Sequence, residues 1–200
     1  MKELSLHILD IAENSAKAGA KLIGVFITEK DGVLTLRITD DGCGMKPDML
    51  SRVTDPFTTS RTTRKVGLGL PLLRLAAEQT GGSLEITSRH IDEFPESHGT
   101  EVTAVFNTRH IDSPPLGDVI STIVTLIQGH PESDLIFRHT AEGDSGETLD
   151  SETLVVSLDT REMREVLGDV PLSTPDVLVW IRGSLSEQYG DGAGSSVFVR

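Results

Sequence analysis

Cysteine is almost missing from this chain: Cys43 is the only one in 200 residues. No intrachain disulfide can form, and a reducing compartment is expected. Aromatic residues make up only 4%, which leaves the core to leucine, isoleucine and valine. Positive charge is scarce too, with 18 Lys and Arg against 31 Asp and Glu and a formal net charge of −13. That balance excludes a general nucleic-acid binder, which needs cations to neutralise phosphates, although it leaves room for a local basic pocket. The N-terminal Met-Lys-Glu-Leu-Ser-Leu-His lacks the apolar core of a signal peptide, and no segment approaches the length of a membrane span. The chain therefore reads as cytoplasmic, with no membrane partner. His7, His90, His98, His110, His130 and His139 are scattered without metal-ligand spacing.

What is present is enough for one domain of ordinary size or two small ones, with 37% hydrophobic and 24% charged residues. Leu4 to Lys17 predicts a helix, because Leu4, Ile8, Ile11 and Ser15 follow one stripe that Leu6, Leu9 and Ala12 widen. Alternation over Leu22 to Thr28 and Val33 to Thr39 predicts two strands, with Lys30-Asp31-Gly32 as the hairpin turn. Pro47 opens a short helix to about Val53, and Thr54 to Lys65, rich in Thr and Arg, reads as a mobile loop. A second amphipathic helix spans Gly67 to Thr80, followed by strands at Ser83 to Arg89 and Thr100 to Asn107. Pro114-Pro115 marks a boundary. Beyond it come a helix at Leu116 to Gln128 and a strand at Leu135 to His139, then an acidic loop from Ala141 to Ser151. A strand at Leu154 to Leu158 follows, with helices at Arg161 to Leu167 and from Pro175 to about Leu185, and a flexible tail from 190. The expected organisation is residues 1–108 as one domain, 109–189 as a small α/β extension, and 190–200 as a tail. Trp180, beside Val177 and Ile181 in the last apolar helix, is expected in the core.

Three clusters can carry chemistry. On the first helix, Asp10, Asn14 and Lys17 are spaced four and three apart and share a face. A carboxylate, an amide oxygen and an ammonium there can serve as base, Mg²⁺ ligand and phosphate contact, though the same spacing suits a solvated helix face. Asp40-Asp41-Gly42-Cys43-Gly44 follows a strand. Its two glycines let backbone approach a flat ligand, and an aspartate there can accept a hydrogen bond from an exocyclic amine. A plain turn fits the same residues. Arg64-Lys65-Val66-Gly67-Leu68-Gly69 opens a helix, where exposed N–H groups and the dipole favour an anion. It is not a P-loop, since no Gly-Lys-Ser/Thr follows, nor a dinucleotide fingerprint, since a loop rather than a strand precedes it.

The order of these clusters, with Phe57 between them and Gly99-Thr100 after them, resembles the GHKL superfamily of histidine kinase-like, gyrase, heat-shock-chaperone and mismatch-repair ATPases over about the first half of the chain. The resemblance implies an α/β fold, the two-layer Bergerat sandwich, and ATP with Mg²⁺ as ligands. It implies that Asn14 coordinates Mg²⁺, that Lys17 approaches a phosphate, and that Asp40 binds the adenine amine in a pocket shaped by Gly42 and Gly44 and completed by Thr100. It also implies that Gly67 and Gly69 sit at the phosphates, with Arg64 and Lys65 close by in an ATP lid over Thr54 to Val66. Asp10 takes the place of the glutamate that hydrolysing members usually carry, so it is the candidate catalytic base, one methylene shorter; Glu13 is the fallback. His7 is expected to be an ordinary helix residue and Cys43 a small filler. No phosphoaccepting hairpin is expected upstream, because the first motif begins almost at Met1.

Two functions follow from the resemblance. One is an enzyme that hydrolyses ATP or transfers its γ-phosphate to a partner protein. The other is a non-catalytic module in which nucleotide orders the lid and creates a partner surface. Neither the partner nor the phosphoacceptor can be named from the residues. Stand-alone members are often dimers, yet nothing in the sequence shows an interface.

Overall fold

The computed structural model describes residues 3–53, 69–142 and 153–190. The chain runs α1 (Leu4–Lys17), β1 (Leu22–Lys30), β2 (Val33–Asp40), α2 (Pro47–Leu50), α3 (Gly69–Gln79), β3 (Ser83–Arg89) and β4 (Gly99–Asn107). It continues through α4 (Val119–Gly129), β5 (Asp134–Glu142), β6 (Thr153–Asp159), α5 (Thr160–Leu167) and α6 (Pro175–Tyr189).

One six-stranded sheet of order β3-β4-β2-β1-β5-β6 carries both halves of the chain. Its pairs are antiparallel except β1 with β5. The β1–β2 hairpin closes where expected. Lys30 pairs with Val33, and Asp31 and Gly32 between them take φ of 52° and 79°, the two left-handed residues of a type I′ turn.

Strand alternation sends one face of the sheet into the core. Val25, Ile38 and Val102 form one buried cross-strand row that runs on through Phe137 and Leu158. Ile27, Leu36, Ala104 and Val156 form the next. Leu4, Ile8 and Ile11 of α1, Leu73 and Ala77 of α3, Ile123 and Ile127 of α4, and Ile181 and Leu185 of α6 join them in one core. On the opposite face Phe26 is half-buried and Arg37 exposed, with the Arg37 guanidinium 4.6 Å above the Phe26 ring. The architecture is a two-layer α/β sandwich.

Residues beyond the Pro114-Pro115 boundary extend this sheet. β5 lies along β1, and α4 packs between α1 and α6. The first N–H groups of α1 have no side-chain cap; Leu4 N–H donates to Pro115 O (2.9 Å) and Ser5 N–H to Leu116 O (2.8 Å). Arg164 of α5 donates to Asp134 Oδ1 (2.7 Å) and to the Pro131 carbonyl (2.6 Å), tying that helix to the start of β5. Fully buried His139 pairs through Nε2 with Glu29 and through Nδ1 with the Tyr189 hydroxyl, each at 2.9 Å. Among the described residues no helix is long and apolar enough to cross a membrane.

Several expectations shift. Trp180 is 60% exposed rather than in the core. The buried stripe of α6 centres on Val177, Leu178, Ile181 and Leu185, which leaves position 180 on its flank. α4 begins at Val119 rather than Leu116, because Gly117 turns at φ 77° and Asp118 caps the Ser121 N–H at 2.8 Å. The acidic loop begins later than expected, since Ala141 and Glu142 complete β5. The remainder of that loop, and the tail from 191, lie outside the described residues.

Candidate functional site

The site is built around Asp40, the last residue of β2. Its carboxylate is half-buried and held from two sides: Ser15 Oγ donates to Oδ2 at 2.6 Å, and the Gly42 N–H donates to Oδ1 at 3.0 Å. The first bond comes from α1 and the second from the loop after β2, so the acceptor is fixed before any ligand arrives. Each oxygen retains a lone pair able to accept an exocyclic amine. Asp41 turns the other way, where its Oδ1 accepts from Lys21 N–H (2.7 Å) and Leu22 N–H (2.9 Å) and ties the loop to the start of β1.

The glycines of this loop have steric reasons. A Cβ on Gly42 would press on Ala18 at the end of α1 and on Asp40 itself. Gly44 has φ 67° and lies so close to the Arg89 carbonyl that any side chain would collide. Gly99, at φ 133°, packs on the Asp40 carbonyl in the same way. Thr100 is opposite Asp40 in the β2–β4 register, and its hydroxyl is 2.9 Å from Ser88 Oγ, which also accepts from Met45 N–H at 2.8 Å. His98 Nδ1 is 2.7 Å from the Gly42 carbonyl. The result is a close-packed loop around one fixed acceptor.

Helix α1 links this loop to the start of α3. Asn14 is exposed, and its side-chain amide has no hydrogen bond among the described residues. Lys17 is exposed and pairs with Glu13 at 3.2 Å. Glu13 also accepts from His130 Nε2 at 2.9 Å, and that bond, then the one to Lys17, holds its carboxyl below the usual range. A carboxylate so engaged is a poor fallback base. Asp10, half-buried, lies against Gly69, the first residue of α3; a Cβ there would collide with Asp10 Oδ2. Asp40, Gly42, Gly44 and Thr100 thus gather by the C-terminal end of α1, which Asn14 and Lys17 share, whereas Asp10 meets Gly69 at the middle of the helix. Phe57, Arg64, Lys65, Gly67 and the expected lid lie outside the described residues. Cys43 is exposed rather than a filler.

Sequence reading missed Ser15, Ser88 and His98. Ser15 stood in the apolar stripe of α1 and passed for a core position; a hydroxyl on such a stripe, next to Asn14, was the available signal. Ser88 and His98 act on backbone and on Thr100, contacts that no spacing announces. A cavity of about 890 Å³ lies elsewhere, bounded by α5, α6 and the β5–β6 strands and lined by Met163, Val177 and Trp180; its apolar walls carry none of these groups.

The architecture and this constellation define an ATPase-type α/β domain, and comparison with known proteins gives the family. Residues 2–110 match the model for "Histidine kinase-, DNA gyrase B-, and HSP90-like ATPase", and the chain belongs to that family. Similar proteins include a putative NtrY-like sensor histidine kinase of Rickettsia conorii, 25% identical over 56% of this chain and 18% of its own length. The histidine protein kinase DivJ of Caulobacter vibrioides is 33% identical over 44% of this chain and 16% of its own length. The mismatch repair protein MutL of Escherichia fergusonii is 33% identical over 43% and 15%. The matches thus span less than a fifth of these relatives. Among solved structures, the ADP-complexed ATPase domain of Aquifex aeolicus MutL shares the fold, with a TM-score of 0.51 and 15% identity over 92% of this chain and 88% of that one.

The residues present fit a nucleotide. The pre-positioned Asp40 carboxylate, with a lone pair left on each oxygen, suits an exocyclic amine of the kind adenine carries. No cluster of three His, Cys, Asp or Glu side chains suited to a metal occurs among the described residues. A Mg²⁺ here would take phosphate oxygens and water with Asn14 rather than sit in a protein cage.

Proposed function

We propose that this chain binds ATP with Mg²⁺ and either hydrolyses it or passes the γ-phosphate to a partner protein. The observation that supports this best is Asp40, whose carboxylate is held by the Ser15 hydroxyl and the Gly42 N–H. In this reading Asp40 accepts the adenine amine, Gly42 and Gly44 admit the ring, and Thr100 completes the pocket. Asn14 holds Mg²⁺, while Lys17, Arg64, Lys65, Gly67 and Gly69 serve the phosphates, and Asp10 orients or deprotonates the attacking group. Residues 1–108 supply these groups, residues 109–189 support α1 from its other side, and the setting is cytoplasmic.

Calorimetry with a non-hydrolysable ATP analogue and Mg²⁺, comparing wild type with Asp40→Asn, tests the pocket. Binding in wild type and its loss in the variant are expected; no binding by the folded wild type overturns the reading. Asp10→Asn then separates enzyme from nucleotide-gated module. Turnover lost with binding kept supports catalysis, whereas a wild type that binds without any turnover makes the chain a module.

A further inference from the structure

Helix α5 is amphipathic, yet its apolar stripe is only partly covered. Met163 and Leu167 are half-buried and pack on the core, while Val166, on the same side of the helix, is 88% exposed. Val166 lines the hollow of about 890 Å³ described above, together with Trp180 of α6, which is 60% exposed. Exposed large apolar side chains gathered in one concave place mark a surface that something covers. A small ligand is normally enclosed over most of its surface, and a hollow whose lining is this exposed encloses less. A helix about 10 Å across can instead rest in it and cover both side chains. The α6 wall suits that length, because Asp176, Trp180 and Ser184 recur every four residues and run for about 12 Å, or two helical turns.

Charge narrows the partner. The lining holds Asp159, Glu162 and Asp176 against one cation, Arg138. The salt bridges of α5 are Arg161 with Asp159 and Arg164 with Asp134, which leave Glu162 and Asp176 without a salt-bridge partner among the described residues. No lysine follows Lys65, so this half of the chain has few cations of its own to offer them. An acidic helix would be repelled here, and a basic one is matched.

We propose that the trough between α5 and α6 receives an amphipathic helix of a partner protein, whose apolar stripe packs between Val166 and Trp180 and whose flanking Lys or Arg residues meet Glu162 and Asp176. The trough lies away from the Asp40 site and does not depend on nucleotide.

Trp180 is the only tryptophan, so its fluorescence reports on the trough. The probe is a synthetic peptide of about 14 residues, built of Leu and Lys at helical spacing and free of tryptophan. It is expected to shift Trp180 emission to the blue and to saturate, while the same peptide with Glu in place of Lys does neither. Val166→Glu, at a position exposed enough to leave the melting temperature unchanged, is expected to weaken the Leu/Lys peptide about tenfold. General attraction to an acidic protein predicts the opposite, since the variant adds negative charge; equal or tighter binding therefore overturns the proposal. Glu162→Gln with Asp176→Asn is expected to weaken binding about threefold and flatten its salt dependence, and no change would remove the charge match on which the basic partner rests. If Phe198→Ser alone shifts Trp180 emission to the red, the chain's own C-terminal segment fills the trough and the proposal falls. A wild type that light scattering shows as a dimer, and that Val166→Glu makes a monomer, overturns it in favour of a second copy.

Discussion

Ser15→Ala probes the device that makes the site. Ser15 is 4% exposed, and its hydroxyl donates to Asp40 Oδ2 at 2.6 Å, a short bond to a charged acceptor. Bonds of that type contribute about 1.5–3 kcal/mol. The substitution removes one oxygen, opens a void smaller than a methyl group, and leaves Asp40 held only by the Gly42 N–H at 3.0 Å. The freed carboxylate oxygen is half-buried, so water can replace part of the lost bond, and a fall of about 1–2 kcal/mol in unfolding free energy is expected. Urea unfolding followed by circular dichroism should show a lower midpoint at unchanged slope. Analogue affinity should drop as well, by roughly tenfold for each 1.4 kcal/mol of lost pre-positioning. A variant within about 0.5 kcal/mol of wild type, with unchanged affinity, would refute the claim that Ser15 holds Asp40.

Two further outcomes test the frame around the site. Glu13 is held below its ordinary 4.5 by His130 and Lys17, so the stability it contributes is present above that value and is lost as pH falls through the folded one. Glu13→Gln should therefore be less stable than wild type by a few tenths to about 1 kcal/mol at neutral pH, given its partial exposure, and the gap should close in acid; a gap that is independent of pH contradicts the assignment. Ending the chain at Thr108 removes the carbonyls of Pro115 and Leu116 from the first N–H groups of α1 and uncovers the faces of α1 and β1 that meet α4 and β5. The shortened chain is expected to lose its cooperative thermal transition, and a sharp melt near that of the full chain would show that the C-terminal half is dispensable for folding.

The elements were largely readable from the sequence because local signals agreed with the fold. α1, with its apolar stripe, and β3, between a double glycine and a polar turn, fall where periodicity puts them. Asp40, Gly42 and Gly44 were readable because a loop that must approach closely needs glycine, and spacing records that need. The rest depended on contacts across the chain. Strand β5 takes its place beside β1 through the parallel register Leu22 with Asp134 to Glu29 with Ala141, which no local pattern specifies. Trp180 sat among apolar neighbours, and only the packing of α6 on β6 and α4 decides which side of that helix turns outward. Ser15, Ser88 and His98 matter through the groups they hold, and a hydroxyl or a ring in sequence carries no mark of its acceptor.

The same long-range contacts place α1 at the centre of the molecule. One side of the helix bears Leu4, Ile8 and Ile11 into the core, and its flank meets α4, with Ser5 O accepting from Thr122 Oγ1 at 3.3 Å. Its last turns carry Ser15 to Asp40 and Glu13 to His130, so one rigid rod touches the candidate adenine acceptor and the C-terminal half together. Lys17, the expected phosphate contact, shares Glu13 with His130. In the proposed reading, a phosphate that draws Lys17 away leaves Glu13 to His130 alone. Coupling of this kind needs no moving domain, only a side chain that cannot serve two partners at once.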